Sequence, residues 1–252
     1  MAIVVSALVG EAVYAGAQSR TTASNVVIGA NELGLCIVVN KKDGGTPPPG
    51  AVSSVTQTGA TWDIAHATNA TVLYNSIATS NSRITLYRCM PTSAVNATAT
   101  INVDGANQAI WNYYFLKATG VTTGANGANA ILQLANNRAD SPVTTLTVTL
   151  STLGNALNAV VGFYGGSNDN TSTPEAGYTE LVDQTSNNAD SLAVFWDVGG
   201  DTTPTNTFGG NNAAGGIAIE LQDESLGGGS SGQPYIKRTG GVPFMSRNRG
   251  VW

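Results

Sequence analysis

Short β-type runs between turn residues are the feature of this sequence that most restricts its fold. From Ala51 to Lys117 the runs are rich in Val, Ile, Thr and aromatic residues, and Gly, Asn, Ser or Pro interrupts them about every eight to twelve residues. In RITLYRC, Ile84 and Leu86 share one face, as in a strand with one side in the core. The spacing predicts an all-β chain, an antiparallel β-sandwich of jelly-roll-like form with an extended C-terminal tail.

Runs outside this stretch predict further strands. Residues 33–40 are apolar on both faces, which indicates a central strand. Near the N-terminus, residues 2–9 and 12–18 predict two short strands with Gly10 as the turn between them. Residues 130–136 fit either a short helix or a strand.

Two polar stretches, residues 166–177 and 199–215, are rich in Gly, Asn and Thr and are predicted to be long loops. Loops of this length in a compact domain are often functional. With residues 119–141 they would form the recognition end of a carbohydrate-binding module, which is one alternative for the function.

The composition divides the chain into a body, a linker and a tail. Residues 1–222 are predicted to form one β-sandwich domain, in which residues 1–24 are an N-terminal arm or edge strands. Residues 223–233, DESLGGGSSGQ, have the composition of a flexible Gly/Ser linker. Residues 234–252 are too short to fold alone, yet they carry large apolar and aromatic side chains that an exposed tail would not need.

Charge is sparse and unevenly distributed. Only 11% of the residues are charged and the net charge is −5. Residues 1–222 hold 14 acidic and 7 basic residues, whereas residues 223–252 hold 2 acidic and 4 basic residues. Such a chain has no general attraction to nucleic acid or to an anionic membrane, so neither is expected as a partner.

The N-terminal segment does not predict secretion or membrane insertion. It is apolar, but its first basic residue is Arg20 and it carries Glu11, so it lacks the charged start of a secretory signal. No run of about 20 apolar residues occurs. We expect a soluble chain made in a cytoplasm.

The single histidine, His66, lies close to Asp63 in WDIAHAT. A hydrolase would need a nucleophile and an orienting acid arranged around it, but Ser and Asp are too frequent here for their presence to be informative. The interpretation is a surface or strand histidine.

Acidic residues near predicted loops offer two weak chemical alternatives. The pairs Glu175/Glu180 and Asp197/Asp201 are candidates for a glycosidase. Asp169, Asp197 and Asp201 are candidates for a calcium site, but their spacing matches no known calcium loop. Turn formation by Asp and Asn explains these residues better, and no enzymatic activity is expected.

The two cysteines, Cys36 and Cys89, lie in apolar strand-like runs. Buried free thiols are the favoured interpretation. A disulfide stays open as an alternative, since it requires only that the two Cα atoms lie within about 7 Å. Two cysteines and one histidine do not make a metal cluster at ordinary spacings, so no metal and no cofactor are expected.

Aromatic residues cluster in one predicted strand, at Trp111, Tyr113, Tyr114 and Phe115. Since neighbours along a strand point to opposite faces, core packing should account for at least half of them. A sugar-stacking platform is the alternative.

The tail concentrates four of the eleven basic residues in its last sixteen positions, interleaved with aromatic residues. It could be a nucleic-acid arm, a docking peptide or a disordered end; we favour a peptide that grips an acidic neighbouring subunit, with Phe244 and Trp252 as buried anchors. The predicted partner-binding residues are Tyr235, Lys237, Arg238, Phe244, Met245, Arg247, Arg249 and Trp252.

Six segments follow one another between residues 25 and 222: NELGLCIVVNKK, VSSVTQTGATWDIAHAT, SRITLYRCMPTSAVNATATINV, AIWNYYFLKATGV, VTTLTVTLSTLGNALNAVVGFYGG and AAGGIAIELQ. This succession resembles a family of β-sandwich structural proteins of tailed phages and phage-like elements. Where the family's hairpin has paired glycines, this chain has Thr58-Gly59-Ala60.

The resemblance implies a virion component without active-site residues. The expected function is a capsid decoration (cement) protein that binds and stabilises the outer shell, with a tail-fibre or head-fibre subunit as an alternative. The expected partners are the major capsid protein or other virion subunits and further copies of the chain, with a trimer favoured. The expected location is the virion, assembled in the host cytoplasm.

Overall fold

A computed structural model describes residues 2–42, 49–75, 82–105, 108–186 and 190–227, which form an almost entirely β structure. The described strands are β1 (Val4–Ala17), β2 (Ser19–Thr21), β3 (Val26–Ile28), β4 (Leu33–Lys41), β5 (Val52–Gln57), β6 (Ala60–Thr61), β7 (Asp63–Ile64), β8 (Thr71–Tyr74), β9 (Ser82–Cys89), β10 (Val95–Ala97), β11 (Ala99–Val103), β12 (Gln108–Thr119), β13 (Ile131–Thr147), β14 (Ala159–Gly166), β15 (Ser172–Pro174), β16 (Thr179–Ser186), β17 (Asp190–Val198) and β18 (Thr205–Leu221). A 3-10 helix spans Ala125–Ala130, and a short helix, α1, spans Glu224–Gly227.

The strands form layers of antiparallel sheets. The central sheet has the order β1-β12-β4-β9-β7, with β8 also paired to β9. The back sheet has the order β13-β18-β14-β17-β16, with β15 paired to β18. Two smaller front sheets have the orders β2-β11-β5-β6 and β10-β3. The prediction of an all-β antiparallel sandwich is confirmed.

The main core lies between the central and back sheets. In β4, the first eight of nine residues are buried. Leu35 and Ile37 face the back sheet, where Phe163 and Ile217 belong to the same apolar cluster. This confirms that residues 33–40 form a central strand, since both of its faces are covered.

A second core fills the space between the central sheet and the front sheets. Cys36 and Val38, on the opposite face of β4, belong to it together with Ile101 of the front layer. Trp62 meets Phe115 edge to face, with the ring centroids 5.4 Å apart. The central sheet is therefore buried on both faces.

The outer face of the back sheet is covered by its own chain. Val148 and Leu150, directly after β13, pack in one cluster with Tyr164 and Phe195. These two rings stack with centroids 5.1 Å apart. The back sheet therefore also buries apolar side chains on both faces.

The N-terminal residues form one long strand rather than the two predicted. The turn predicted at Gly10 is wrong: Gly10 pairs with Tyr114 in the middle of β1. A Cβ at position 10 would lie 2.0 Å from the Tyr114 ring. The glycine therefore provides close approach to a ring and not a turn. β1 lies at one end of the central sheet.

Residues 205–215 were predicted to be loop, and this is wrong, because they belong to the 17-residue strand β18. They pair with β13 and β15, so that sheet hydrogen bonds override the low strand propensity of Gly and Asn. Residues 172–174, within the other predicted loop, form β15. For residues 130–136 the strand alternative is confirmed from Ile131 onward.

The ordered body continues past the last strand. Asp223 is buried and bridges Val121, and the Glu224 amide donates to the Gly120 carbonyl at 2.9 Å. Residues 223–227, the described part of the predicted linker, are thereby attached to the body. Residues 228–233 and the predicted docking tail, 234–252, lie outside the described residues.

Candidate assembly surfaces

A groove at one end of the body collects apolar side chains from distant parts of the chain. Two adjoining depressions of about 470 and 460 Å³ form it, and they share Ala128, Ile131 and Leu132. We call this surface the end groove. Its remaining lining residues are Asp63, Ile64, Ala65, His66, Ala67, Arg88, Thr122, Asn129, Gln133, Gln222 and Leu226.

Three large aliphatic side chains of the end groove are partly in solvent. Leu132 is 45% exposed, Leu226 is 37% exposed and Ile64 is 36% exposed. They come from β13, α1 and β7. Exposed aliphatic residues that are scattered singly are ordinary, but here Leu132 lies beside Leu226 in one depression and beside Ile64 in the adjoining one, so the three form one apolar surface.

Asn126 fixes the wall of the end groove. Its backbone has a φ of 50°, a left-handed conformation that Asn tolerates better than most residues. Its side-chain amide donates to the Thr61 carbonyl and to Asp63 Oδ2, both at 2.8 Å, and its Oδ1 accepts from the Met90 amide at 2.9 Å. One side chain thus joins the 3-10 helix to β6, β7 and the end of β9.

The 3-10 helix also lies tightly on the central sheet. Gly127 has a φ of 84°, and a Cβ there would be 2.5 Å from Leu33 Cδ1. Ala125 adopts a φ of 46°, which costs about 1 kcal/mol in a residue with a side chain. The groove wall is therefore held in place by packing and hydrogen bonds that outweigh this backbone cost.

The polar rim of the end groove is an ion pair. Arg88 Nη1 lies 3.6 Å from Asp63 Oδ2 and donates to the Asn126 carbonyl at 2.8 Å. The Asp63 side chain is 50% exposed and that of Arg88 is 13% exposed. His66 is exposed on the same wall, and its Nδ1 lies 3.3 Å from Thr68 Oγ1. This is the surface position predicted for His66, and Asp63 faces Arg88 and Asn126 instead of orienting the imidazole.

The carboxylates pair differently from the sequence-based candidates. The candidate pairs were Glu175 with Glu180 and Asp197 with Asp201. In the structure Glu175 hydrogen-bonds with Asp201 instead. The reason is the pairing of β15 with the start of β18, which brings residues 175 and 201 together.

The Glu175 and Asp201 carboxyl groups serve the backbone of their own loops. Glu175 Oε1 accepts from the Thr205 amide at 2.8 Å, and Asp201 Oδ1 accepts from the Thr203 amide at 2.9 Å. Partial burial, followed by the contact with Asp201, raises the pKa of Glu175. Partial burial would raise the pKa of Asp201, but hydrogen bonds from Thr203, Glu175 and Tyr178 lower it. Both carboxyl groups thus hold the chain that leads into β18.

The aromatic strand β12 contributes mainly to the core. Trp111, Tyr113 and Phe115 are completely buried. The sugar-stacking platform is therefore wrong for these three residues, because their rings pack between the central and front sheets. Tyr114 points the other way and packs partly against the main core.

Both cysteines are buried free thiols, as predicted. Cys36 pairs with Tyr87 and Cys89 pairs with Gly34, so the two thiols are diagonal neighbours on adjacent strands. Burial, and then the proximity of Cys89, raises the pKa of Cys36 well above its usual value. Such thiols are poor nucleophiles.

In the described part of the chain, no group of three or more His, Cys, Asp or Glu side chains is placed to hold a metal ion. Within the same ranges, no helix has the length and apolar character needed to cross a membrane.

The two large sheets each end in a long strand. β1, with 14 residues, is at one end of the central sheet, and β13, with 17 residues, is at one end of the back sheet. Among the described strands, β1 pairs only with β12 and β13 pairs only with β18. The outer row of backbone groups on β1 is a template for pairing with another chain. β13 is less suited to such pairing, because it contains Pro142 and its Leu134 carbonyl accepts from Asn69 Nδ2 at 3.4 Å.

The outer face of the larger front sheet is uncharged along one row. Register places Thr21, Thr100, Thr56 and Thr61 side by side across four strands. The Oγ1 atoms of Thr21 and Thr100 lie 2.8 Å apart and share a hydrogen bond. Cross-strand Thr pairs stabilise a sheet and leave a flat surface of hydroxyl and methyl groups.

The docking role of the tail stays a prediction. Tyr235, Lys237, Arg238, Phe244, Met245, Arg247, Arg249 and Trp252 lie outside the described residues. The end groove, in contrast, was not anticipated from the sequence. The only local signal for it is the Asn-Gly pair at 126–127, which indicates a left-handed turn but not the groove around it.

Comparisons of the chain with models of protein families, with curated proteins and with solved structures find no match. No relative therefore bears on the resemblance to phage structural proteins, which stays a prediction.

Proposed function

We propose that the chain is a structural protein of a virion, a capsid decoration (cement) protein that binds the outer shell and stabilises it. The observation that carries the proposal is the long strand β1 at one end of the central sheet. Two further features favour another virion subunit as the partner: the sequence resemblance to phage β-sandwich proteins and the basic, aromatic tail.

β1 has few of the features with which monomeric proteins protect a sheet edge. Such edges usually carry lysines, prolines or short strands. β1 contains no Lys or Pro, and its single charged residue, Glu11, accepts a hydrogen bond from Tyr113 Oη at 2.9 Å. A bulge interrupts the register between Ala7 and Val9, but pairing is unbroken from Val9 to Tyr14. This stretch is suited to pairing with a second copy.

The surface chemistry also suits repeated contacts in an assembly. Charge is sparse, and the front sheet presents hydroxyl groups instead of ions. Desolvating such a surface costs less than desolvating charges. Many weak contacts repeated by symmetry then give avidity without a single strong site. We propose a homo-oligomer, with a trimer favoured, whose tail binds the major capsid protein or another virion subunit.

The test is removal of residues 234–252. We expect the truncated chain to keep its circular dichroism spectrum, because the described strands lie within residues 4–221. We also expect it to be lost from purified particles, measured by the ratio of this chain to shell protein after sedimentation. Full occupancy of particles by the truncated chain would refute the docking role of the tail.

A further inference from the structure

We propose that the end groove is the docking site for the C-terminal segment of the same chain, residues 234–252. This inference does not rest on the proposed function. It names the segment that would cover an apolar surface. No described residue of the body covers that surface.

Chain geometry brings the segment to the groove. The described chain ends at Gly227, and the preceding residue, Leu226, itself lines the groove. Residues 228–233 separate this point from the segment, and six residues span at most about 20 Å. The segment therefore begins within reach of the depressions around Leu132 and Ile64.

The two partners have matching chemistry. The groove presents aliphatic side chains that are between 36% and 45% exposed. The segment offers Phe244, Met245 and Trp252, which are large enough to cover them. Residues 1–222 carry an excess of acidic groups and the segment carries four basic groups, so long-range attraction favours docking.

Tethering lowers the affinity that docking requires. A short flexible linker gives an effective concentration on the order of 1 mM. A site with a Kd of about 0.1 mM would then be occupied about ten times more often than it is empty. An open groove without a deep pocket can supply an affinity of this size.

The first experiment traps the docked state in the full-length protein. We introduce Leu132→Cys together with Phe244→Cys; the native Cys36 and Cys89 are buried and do not compete. We expect a disulfide within one chain, seen as a monomer on a non-reducing gel and as a cross-linked peptide by mass spectrometry. The matched control is Val27→Cys with Phe244→Cys, because Val27 is 47% exposed but lies in a front sheet.

The outcomes separate the possible occupants. Faster intrachain cross-linking at position 132 than at position 27 supports the proposal. Disulfide-linked dimers at position 132 would show that the tail of a second copy binds there, and equal rates at both positions would show that nothing docks; either result overturns it.

A second measurement needs no cross-link. Trypsin cleaves after Lys237, Arg238, Arg247 and Arg249, and docking should protect these sites. We expect Leu132→Asp to speed cleavage of the tail about tenfold, since cleavage follows the undocked fraction. Val27→Asp should leave the rate unchanged. Equal rates in Leu132→Asp and the unmodified chain, with unchanged melting temperatures, would contradict docking.

These tests are independent of particle binding. If trapping succeeds while the truncated chain still decorates particles, the groove assignment stands and the proposed role of the tail on the shell fails. If trapping fails while truncation abolishes incorporation, the groove assignment fails and the proposed role of the tail on the shell stands.

Discussion

At the scale of single residues, the carboxyl group of Asp190 is the least expected feature of the body. It begins β17, is fully buried, and its Oδ1 accepts a hydrogen bond from Ser82 Oγ at 3.2 Å. The Asn112 side chain donates to the Asp190 carbonyl at 3.0 Å. Burial raises the pKa of this carboxyl from 3.8 to about 7, although Lys41 and Ser82 oppose the rise.

This raised pKa makes stability depend on pH. Because the folded-state pKa lies above the unfolded one, proton binding favours the folded state. The contribution is fully present below about pH 4 and is lost as the pH rises through about 7. Asp190→Asn removes the ionisable group, so we expect it to be more stable than the unmodified chain at pH 8 by roughly 2–4 kcal/mol. The measure is the urea midpoint at pH 4, 6 and 8.

The comparison between variant and unmodified chain isolates Asp190 from other acids. Glu175, Glu180 and Asp183 also have raised pKa values, mainly through partial burial, and they shift stability in the same direction. They are present in both proteins and cancel in the difference. An unchanged pH dependence in Asp190→Asn would show that Asp190 does not bind a proton in this range.

At the scale of elements, glycines set the distance between the central and back sheets. Gly165 of β14 and Gly215 of β18 are paired neighbours. The buried ring of Tyr74 lies on both: a Cβ would be 2.6 Å from Tyr74 Oη at position 165 and 2.5 Å from Tyr74 Cδ1 at position 215. Because Gly165 and Gly215 have no side chains, the ring of Tyr74 from the central sheet fits against the back sheet.

Gly215→Ala should therefore destabilise the body. The added carbon overlaps a fully buried ring that has no room to move, and such overpacking costs about 1–3 kcal/mol. Chemical unfolding measures the change. Gly154→Ala is the control, because its added carbon makes ordinary contacts at 3.4 Å or more. A similar small effect for both would mean that the two sheets separate at no cost.

The predictable elements are those with local apolar patterns. The strands β4 and β9 are predictable from residues 33–40 and from RITLYRC. A run of apolar residues, or an alternation of apolar and polar ones, indicates which faces of a strand are buried. Residues 205–215 escaped prediction, since Gly, Asn and Thr have turn chemistry of their own. Their strand state is fixed by pairing with β13, from 58 residues away in sequence at Thr147↔Thr205 to 77 at Arg138↔Gly215.

The candidate site was less predictable than the fold. The end groove joins Ile64, Ala128, Leu132 and Leu226, which come from four separate elements. No local pattern relates these residues to one another. The tail, in contrast, was identified by its composition alone.

At the scale of the whole molecule, the proposed association of copies depends on the edge of β1. We expect the purified chain to form a symmetric oligomer, and Ala12→Lys to dissociate it, because a lysine on an edge strand opposes pairing with a second chain. Light scattering after size-exclusion chromatography gives the mass of each species. Val27→Lys, at an exposed position in a front sheet, is the control. A monomeric unmodified chain at high concentration would contradict the pairing.

The pairing of β1 with β12 also has a consequence for synthesis. Val4 pairs with Thr119, so β1 leaves the ribosome and waits for a partner that is made more than 100 residues later. At ordinary translation rates this wait lasts roughly 5 to 20 s. During it, an apolar strand is free to pair with the same strand of a neighbouring nascent chain. Slower synthesis at low temperature would lengthen that interval, whereas a chaperone that holds β1 would shield it.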